Sequence, residues 1–285
     1  MSAQPPARPD PPPAADNDDL ATGDMFADPA DFYPPTPPPR TETHTLASGK
    51  TLTLYLVGHS VMDAHHLWNG GRVLADHLEA DPSLVRGRSV LEVGAGAGIP
   101  SLVAAHLGAR GVVATDYPDP DVLVALQRNV DGCALVPDPK ADHVVVDGYV
   151  WGHPVDKLLE KMPGGGGGGG DGAAVEGAAA GVDVLIMADL LFRHTEHENI
   201  AKTLELALRR ARDSRAFVFF TSYRPWLRER DLKFFDIVRE RGFVVDKVLE
   251  KKMDEVMFKG DPGDEEVRKT CDGYVVRWPE DKWLD

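Results

Sequence analysis

Val90-Leu91-Glu92-Val93-Gly94-Ala95-Gly96-Ala97-Gly98 joins an apolar run to three glycines at alternate positions. The run is short, as expected for a strand buried on both faces. Glycine supplies the positive φ of a tight strand–helix turn and lets a ligand come up against the backbone. Pro100 then falls in the first turn of the following helix, where its missing N–H costs nothing. Outward from this unit, strands are expected at 111–115, 144–146, 182–187, 216–221, 243–249 and 274–277. Helices are expected at 67–78, 121–129, 155–161 and 232–241, and another from a Thr195/Glu198 capping box to about Arg212. This alternation implies a mostly parallel sheet with helices on both faces. No helix separates the last two strands, so they should pair antiparallel at one edge. Upstream, 43–47 and 51–57 flank Ser48-Gly49 and read as a β-hairpin. The expected fold is α/β: a seven-stranded Rossmann-like sheet with an N-terminal hairpin extension.

Three strand ends carry chemistry. The dinucleotide fingerprint is G-x-G-x-x-G, whereas here the third glycine, Gly98, comes one residue early. Glu92 lies two residues before Gly94. A pyrophosphate is poorly placed beside a carboxylate, which disfavours a dehydrogenase. S-adenosylmethionine has no phosphate, and its ammonium and sulfonium suit a nearby acid. Asp116, ending the next strand, can accept from both ribose hydroxyls; that supports a nucleoside of either kind, the plainer alternative being a turn or helix-cap Asp. Asp189 and Phe192 follow the strand at 182–187, where a methyl acceptor would sit, or else are a loop acid and core filler. Trp68 and Trp151 offer flat apolar faces for adenosine or for the core. His194 and His197, and adjacent His65 and His66, lack the further ligands of a metal site, so no metal is expected.

The 285 residues carry a formal charge of −15. Residues 1–40 hold seven acids and two bases, net −5, leaving −10 for the rest. An acidic body repels a phosphate backbone and argues against nucleic acid as partner. It suits a cationic substrate, and equally it serves solubility. Residues 1–40, rich in Pro, Ala and Asp, read as a disordered tail, and 41–285 as one catalytic domain. Seven glycines at 164–170 sit in a Gly/Ala-rich stretch, read as a flexible surface insertion over 163–181. No long apolar run or signal-like segment is found, and Cys133 and Cys271 read as free thiols. These features point to the cytoplasm, with the nucleus left open, and to no membrane partner.

The glycine turn with Asp116 resembles the seven-β-strand methyltransferases. His66-Leu-Trp-Asn-Gly-Gly-Arg-Val-Leu74 and Asp189-Leu-Leu-Phe192 resemble their family 16 lysine methyltransferase branch. Thr115-Asp-Tyr-Pro-Asp-Pro-Asp121, Gly148-Tyr-Val-Trp-Gly152 and Phe192-Arg-His-Thr-Glu-His197 are similar to a fungal group within it, across residues 41–285. The resemblance implies cofactor contacts at Trp68, the Gly94-Ala95-Gly96 backbone, Asp116, Trp151 and Ala188. It implies S-adenosyl-L-methionine as cofactor and translation elongation factor 1-alpha as substrate, methylated at its N-terminal glycine and the adjacent lysine. In this branch the last position of the Asp-x-x-aromatic motif is often Tyr; here it is Phe192, an aromatic wall without a hydroxyl. Asp189 is expected to orient the amine, because a carboxylate beside an ammonium raises the amine's pKa and so works against its deprotonation. The alternatives are a small-molecule methyltransferase acting on a nicotinamide-like amine and a non-catalytic interaction protein on the same fold.

Overall fold

The computed structural model describes residues 37–60, 63–163 and 181–284. The tail up to residue 36 and most of the glycine-rich insertion therefore lie outside the described residues. The hairpin is β1 (Arg40–Thr45) and β2 (Thr51–Leu56), antiparallel, with Gly49 at φ +83° in its turn. Its first strand starts at Arg40, which the sequence had placed in the tail; Arg40 registers with Leu56.

The main sheet holds β3 (Ser89–Val93), β4 (Gly111–Asp116), β5 (Val144–Gly148), β6 (Val184–Ala188), β7 (Arg215–Thr221), β8 (Val244–Lys252) and β9 (Thr270–Arg277). Their spatial order is β5-β4-β3-β6-β7-β9-β8. The first five pair in parallel, and β9 inserts antiparallel between β7 and β8. The expected antiparallel hairpin is thus present, with β8 at the edge. The chain winds from β3 to one side and from β6 to the other, so a crevice opens at the carboxyl ends of these neighbours.

Helices α1 (Asn69–Ala80), α2 (Ile99–His106) and α3 (Pro120–Gly132) cover one face, joined by the hairpin. Helices α4 (Asp156–Glu160), α5 (His197–Ala207) and α6 (Arg228–Glu240) cover the other; a short α7 (Glu265–Arg268) precedes β9. The strands divide their side chains by parity: Val90 and Val112 join the first core, Leu91 and Val113 the second. Asn129 ties three parts together. Its amide oxygen accepts from Tyr55 N at 2.6 Å, and its Nδ2 donates to the carbonyls of Tyr55 and of Ala97 in the glycine turn.

The capping box is not used. Helix α5 starts at His197, the Glu196 side chain at its N-cap accepts from Asn199 Nδ2 at 2.9 Å rather than capping the backbone, and the Glu198 carboxylate pairs with Arg241 instead. It also ends at Ala207 rather than near Arg212. Val182 N donates to Ala207 O and Arg209 N to Val182 O, so the backbone leaves the helix to pair beside β6.

Candidate active site

The turn after β3 brings Gly94, Gly96 and Gly98 to φ of +68°, +54° and +81°. Ala95 N is held by Thr115 O at 2.9 Å, which keeps the turn against β4. A Cβ on Gly94 would lie 2.5 Å from Leu190 Cδ2 and 3.2 Å from the Trp151 ring, whereas one on Gly96 would meet nothing within 4 Å. Gly94 is thus a packing glycine, and Gly96 turns its open side to free space.

That space is an open cleft of about 710 Å³ at the carboxyl ends of β3, β4 and β6. All ten residues singled out in the sequence border it: Trp68, Glu92, Gly94, Ala95, Gly96, Asp116, Trp151, Ala188, Asp189 and Phe192. Asp116 Oδ2 accepts from Gly96 N and its Oδ1 from Tyr117 N, both at 2.7 Å. Burial raises its pKa, and those two donors hold it down against that. A carboxylate has about four acceptor positions, so lone pairs remain for a ligand.

Glu92 is buried, and one oxygen accepts from both the backbone N and the hydroxyl of Ser101 on α2. Burial pushes its pKa up to about 8, opposed by the Ser101 bonds. Burial thus favours its neutral form near pH 7.

Asp189 directly follows β6 at φ +54°, an uncommon conformation for a residue with a side chain. Both its oxygens have protein donors. Thr221 N donates to Oδ1 at 2.8 Å; Gly70 N and the Tyr223 hydroxyl donate to Oδ2. A Cβ on Gly70 would fall 2.7 Å from that oxygen, so Asn69-Gly70-Gly71 opens α1 with no side chain in the way. Burial pushes the Asp189 pKa up to about 7. The carboxylate therefore ties α1, β6 and β7 together at the edge of the cleft.

Trp68 precedes α1; its indole N–H donates to Asp63 O at 2.9 Å and its ring stacks on Phe192 at 5.6 Å. Tyr223 packs on Trp68 at 5.1 Å. Sequence reasoning passed over Tyr223, although it follows β7 as Asp189 follows β6, so the same strand-end rule reaches it. It also missed Tyr117, which follows Asp116 and lies half-exposed at the cleft. His194 and His197 are spoken for by Asp231 and the Leu191 carbonyl, and among the described residues no cluster of metal-ligand type occurs.

Residues 51–163 match a family described as lysine methyltransferase. A Neurospora crassa protein, "Protein N-terminal and lysine N-methyltransferase efm7", is 51% identical over 94% of this chain and 93% of its own. The chain belongs to the protein N-terminal and lysine N-methyltransferases. The like-named Schizosaccharomyces pombe methyltransferase is 39% identical over 93% of this chain and 98% of its own. A Streptococcus mutans structure assigned as a SAM-dependent methyltransferase shares the fold at a TM-score of 0.53 and 11% identity, over 86% of this chain and 57% of its own. Membership of these methyltransferases makes the chain an enzyme and sets aside the non-catalytic and dehydrogenase readings. No helix among the described residues is long and apolar enough to cross a membrane.

Proposed function

We propose that this methyltransferase uses S-adenosyl-L-methionine to methylate the N-terminal glycine, and the lysine beside it, of translation elongation factor 1-alpha in the cytoplasm. The observation that carries the reading is the convergence, in one cleft, of an open glycine turn, a strand-end carboxylate with spare lone pairs and an aromatic wall. The residues present fit the cofactor. Gly96 leaves room for its methionine part, Asp116 can accept from ribose hydroxyls, and Trp151 and Ala188 give apolar and small surfaces beside them. When bound, the cofactor supplies a methyl group on a positively charged sulfur.

The chain's own residues do the rest. Trp68 and Phe192 wall the acceptor side and exclude water. Asp189 fixes the α1 start and the two strand ends, so its contribution is to alignment. The amine must be neutral to attack; an α-amine, with a pKa of about 8, loses its proton more readily than a lysine at about 10.4. A neighbouring open cleft shares Trp68 and Phe192 with the acceptor side, a continuation that suits a polypeptide and that a nicotinamide-sized substrate would not need. Purified protein incubated with labelled S-adenosylmethionine and either the elongation-factor N-terminal peptide or nicotinamide tests this. Label in the peptide, lost from the α-nitrogen on acetylation, is expected; label in nicotinamide alone overturns the substrate.

A further inference from the structure

Between β8 and α7 runs the segment 253–264, Met-Asp-Glu-Val-Met-Phe-Lys-Gly-Asp-Pro-Gly-Asp, with four acids and one base. It does not belong to the parallel half of the sheet that builds the cofactor cleft. Phe258, at its middle, packs edge-on to Tyr223 at 5.6 Å and to Trp68 at 5.7 Å, and so joins the cluster those rings form with Phe192. The position is fixed from below. Arg268, buried at 3% exposure on α7, donates from Nη1 to the Phe258 carbonyl at 2.9 Å. Further along, Gly263 approaches Pro225 and Trp226, the latter 59% exposed.

The second cleft lies in front of this segment and shares Trp68, Phe192, Asp63 and Arg193 with the first. Its acids are unequal. Asp63 is paired with Arg193 at 2.9 Å and Asp231 with His194 at 2.6 Å, while exposed Asp261 has no partner among the described residues. Among its cations, Arg193 is paired with Asp63, while Arg224, which donates to the Phe192 carbonyl and keeps its charge, and Arg230 have no carboxylate partner among the described residues. Aromatic faces and an unpaired carboxylate are complementary to a chain end that carries positive charge.

We propose that segment 253–264 is the substrate-selecting wall of this enzyme: Phe258 completes the aromatic surface that receives the substrate's amino terminus, and Asp261 pairs with a basic side chain at its second residue. Arg268 is a positioning residue that holds Phe258 in place. The inference rests on the reading above of a substrate with a free, basic N-terminus.

The test uses the full chain and three peptides alike except at residue two, which is Lys, Ala or Glu. For wild type, kcat/KM should favour Lys over Ala about tenfold, with the difference in KM. Asp261→Asn should erase most of that ratio, and Asp261→Lys should turn the preference toward Glu, while the Kd for S-adenosylmethionine stays put. Phe258→Ala should raise KM for all three peptides at least tenfold, and Phe258→Leu less. An unchanged Lys/Ala ratio in both Asp261 variants overturns the pairing, and an unchanged KM in Phe258→Ala overturns the wall. If wild type methylates none of the peptides, the proposed function fails separately. Calorimetric binding of the Lys and Glu peptides to wild type and Asp261→Lys then decides the wall: a reversed preference supports it, and no preference overturns it.

Discussion

Glu92 and Asp189 reach the cleft from adjacent strands, and burial raises the pKa of both, to about 8 and about 7. A carboxyl that holds its proton more tightly when folded stabilises the fold fully below its unfolded pKa, here near 4.5, and loses that contribution as pH climbs through 8. Glu92→Gln keeps an oxygen that can accept from Ser101 and has no proton to lose. Its urea midpoint should therefore fall less than that of wild type between pH 6 and pH 9. The same burial affects cofactor binding: a cation arriving beside Glu92 favours the ionised form, so binding to wild type should release a proton and tighten with rising pH. Calorimetry in buffers of different ionisation enthalpy reads that release, and Glu92→Gln should abolish it. Asp116 belongs to a different kind of contact, its oxygens shared between the turn and a ligand. Asp116→Ala should weaken cofactor binding by about 1.5–3 kcal/mol per charge-assisted bond lost, with the fold retained by circular dichroism. Undiminished affinity would remove Asp116 from the site.

At the level of elements, Asp183 fixes the start of the two strands whose far ends carry those groups. It precedes β6, is buried, accepts from both the N–H and the hydroxyl of Ser89 at 2.9 Å, and pairs with Arg110 and Arg209. Asp183→Ala strands these donors and should cost about 3 kcal/mol in urea denaturation. A loss below about 1 kcal/mol would mean water replaces the carboxylate. The parallel strands could be read from sequence because both faces are buried, so Val184–Met187 is a continuous apolar run and Val90–Val93 one interrupted only by Glu92. The start of α5 could not, because Thr195 and Glu198 have the right spacing but Arg241, distant in sequence, takes the glutamate. Nine of the ten cleft residues were legible because they lie at or just beyond strand ends, which converge in this topology wherever the side chains point; Trp68, before α1, was singled out as a flat apolar face and by the resemblance. The bonding of Asp189 was not, since Gly70, Thr221 and Tyr223 come from three separate segments. Phe258 gave no signal: its segment has neither period nor motif, and only the insertion of β9 beside β7 brings it to the acceptor side.

Across the whole molecule, a charge of −15 should draw a basic chain end toward the cleft over a range that salt shortens. The screening length is about 10 Å at 0.1 M and about 3 Å at 1 M, so KM for the peptide should rise several-fold between them while cofactor affinity moves less. Equal salt dependence for both would tie the effect to the cofactor instead. The two halves of the site come from two kinds of connection. Every residue around the glycine turn sits on a parallel crossover, where a change of length displaces a helix and a strand together. The segment 253–264, which adds Phe258 to the aromatic wall, hangs between two antiparallel strands, which accept a longer or shorter link without disturbing the rest of the sheet. Inheritance can therefore rewrite the two halves at different speeds. A lineage can trade the 253–264 segment for another, and with it one clientele for another, while the methyl-donor half passes down unaltered.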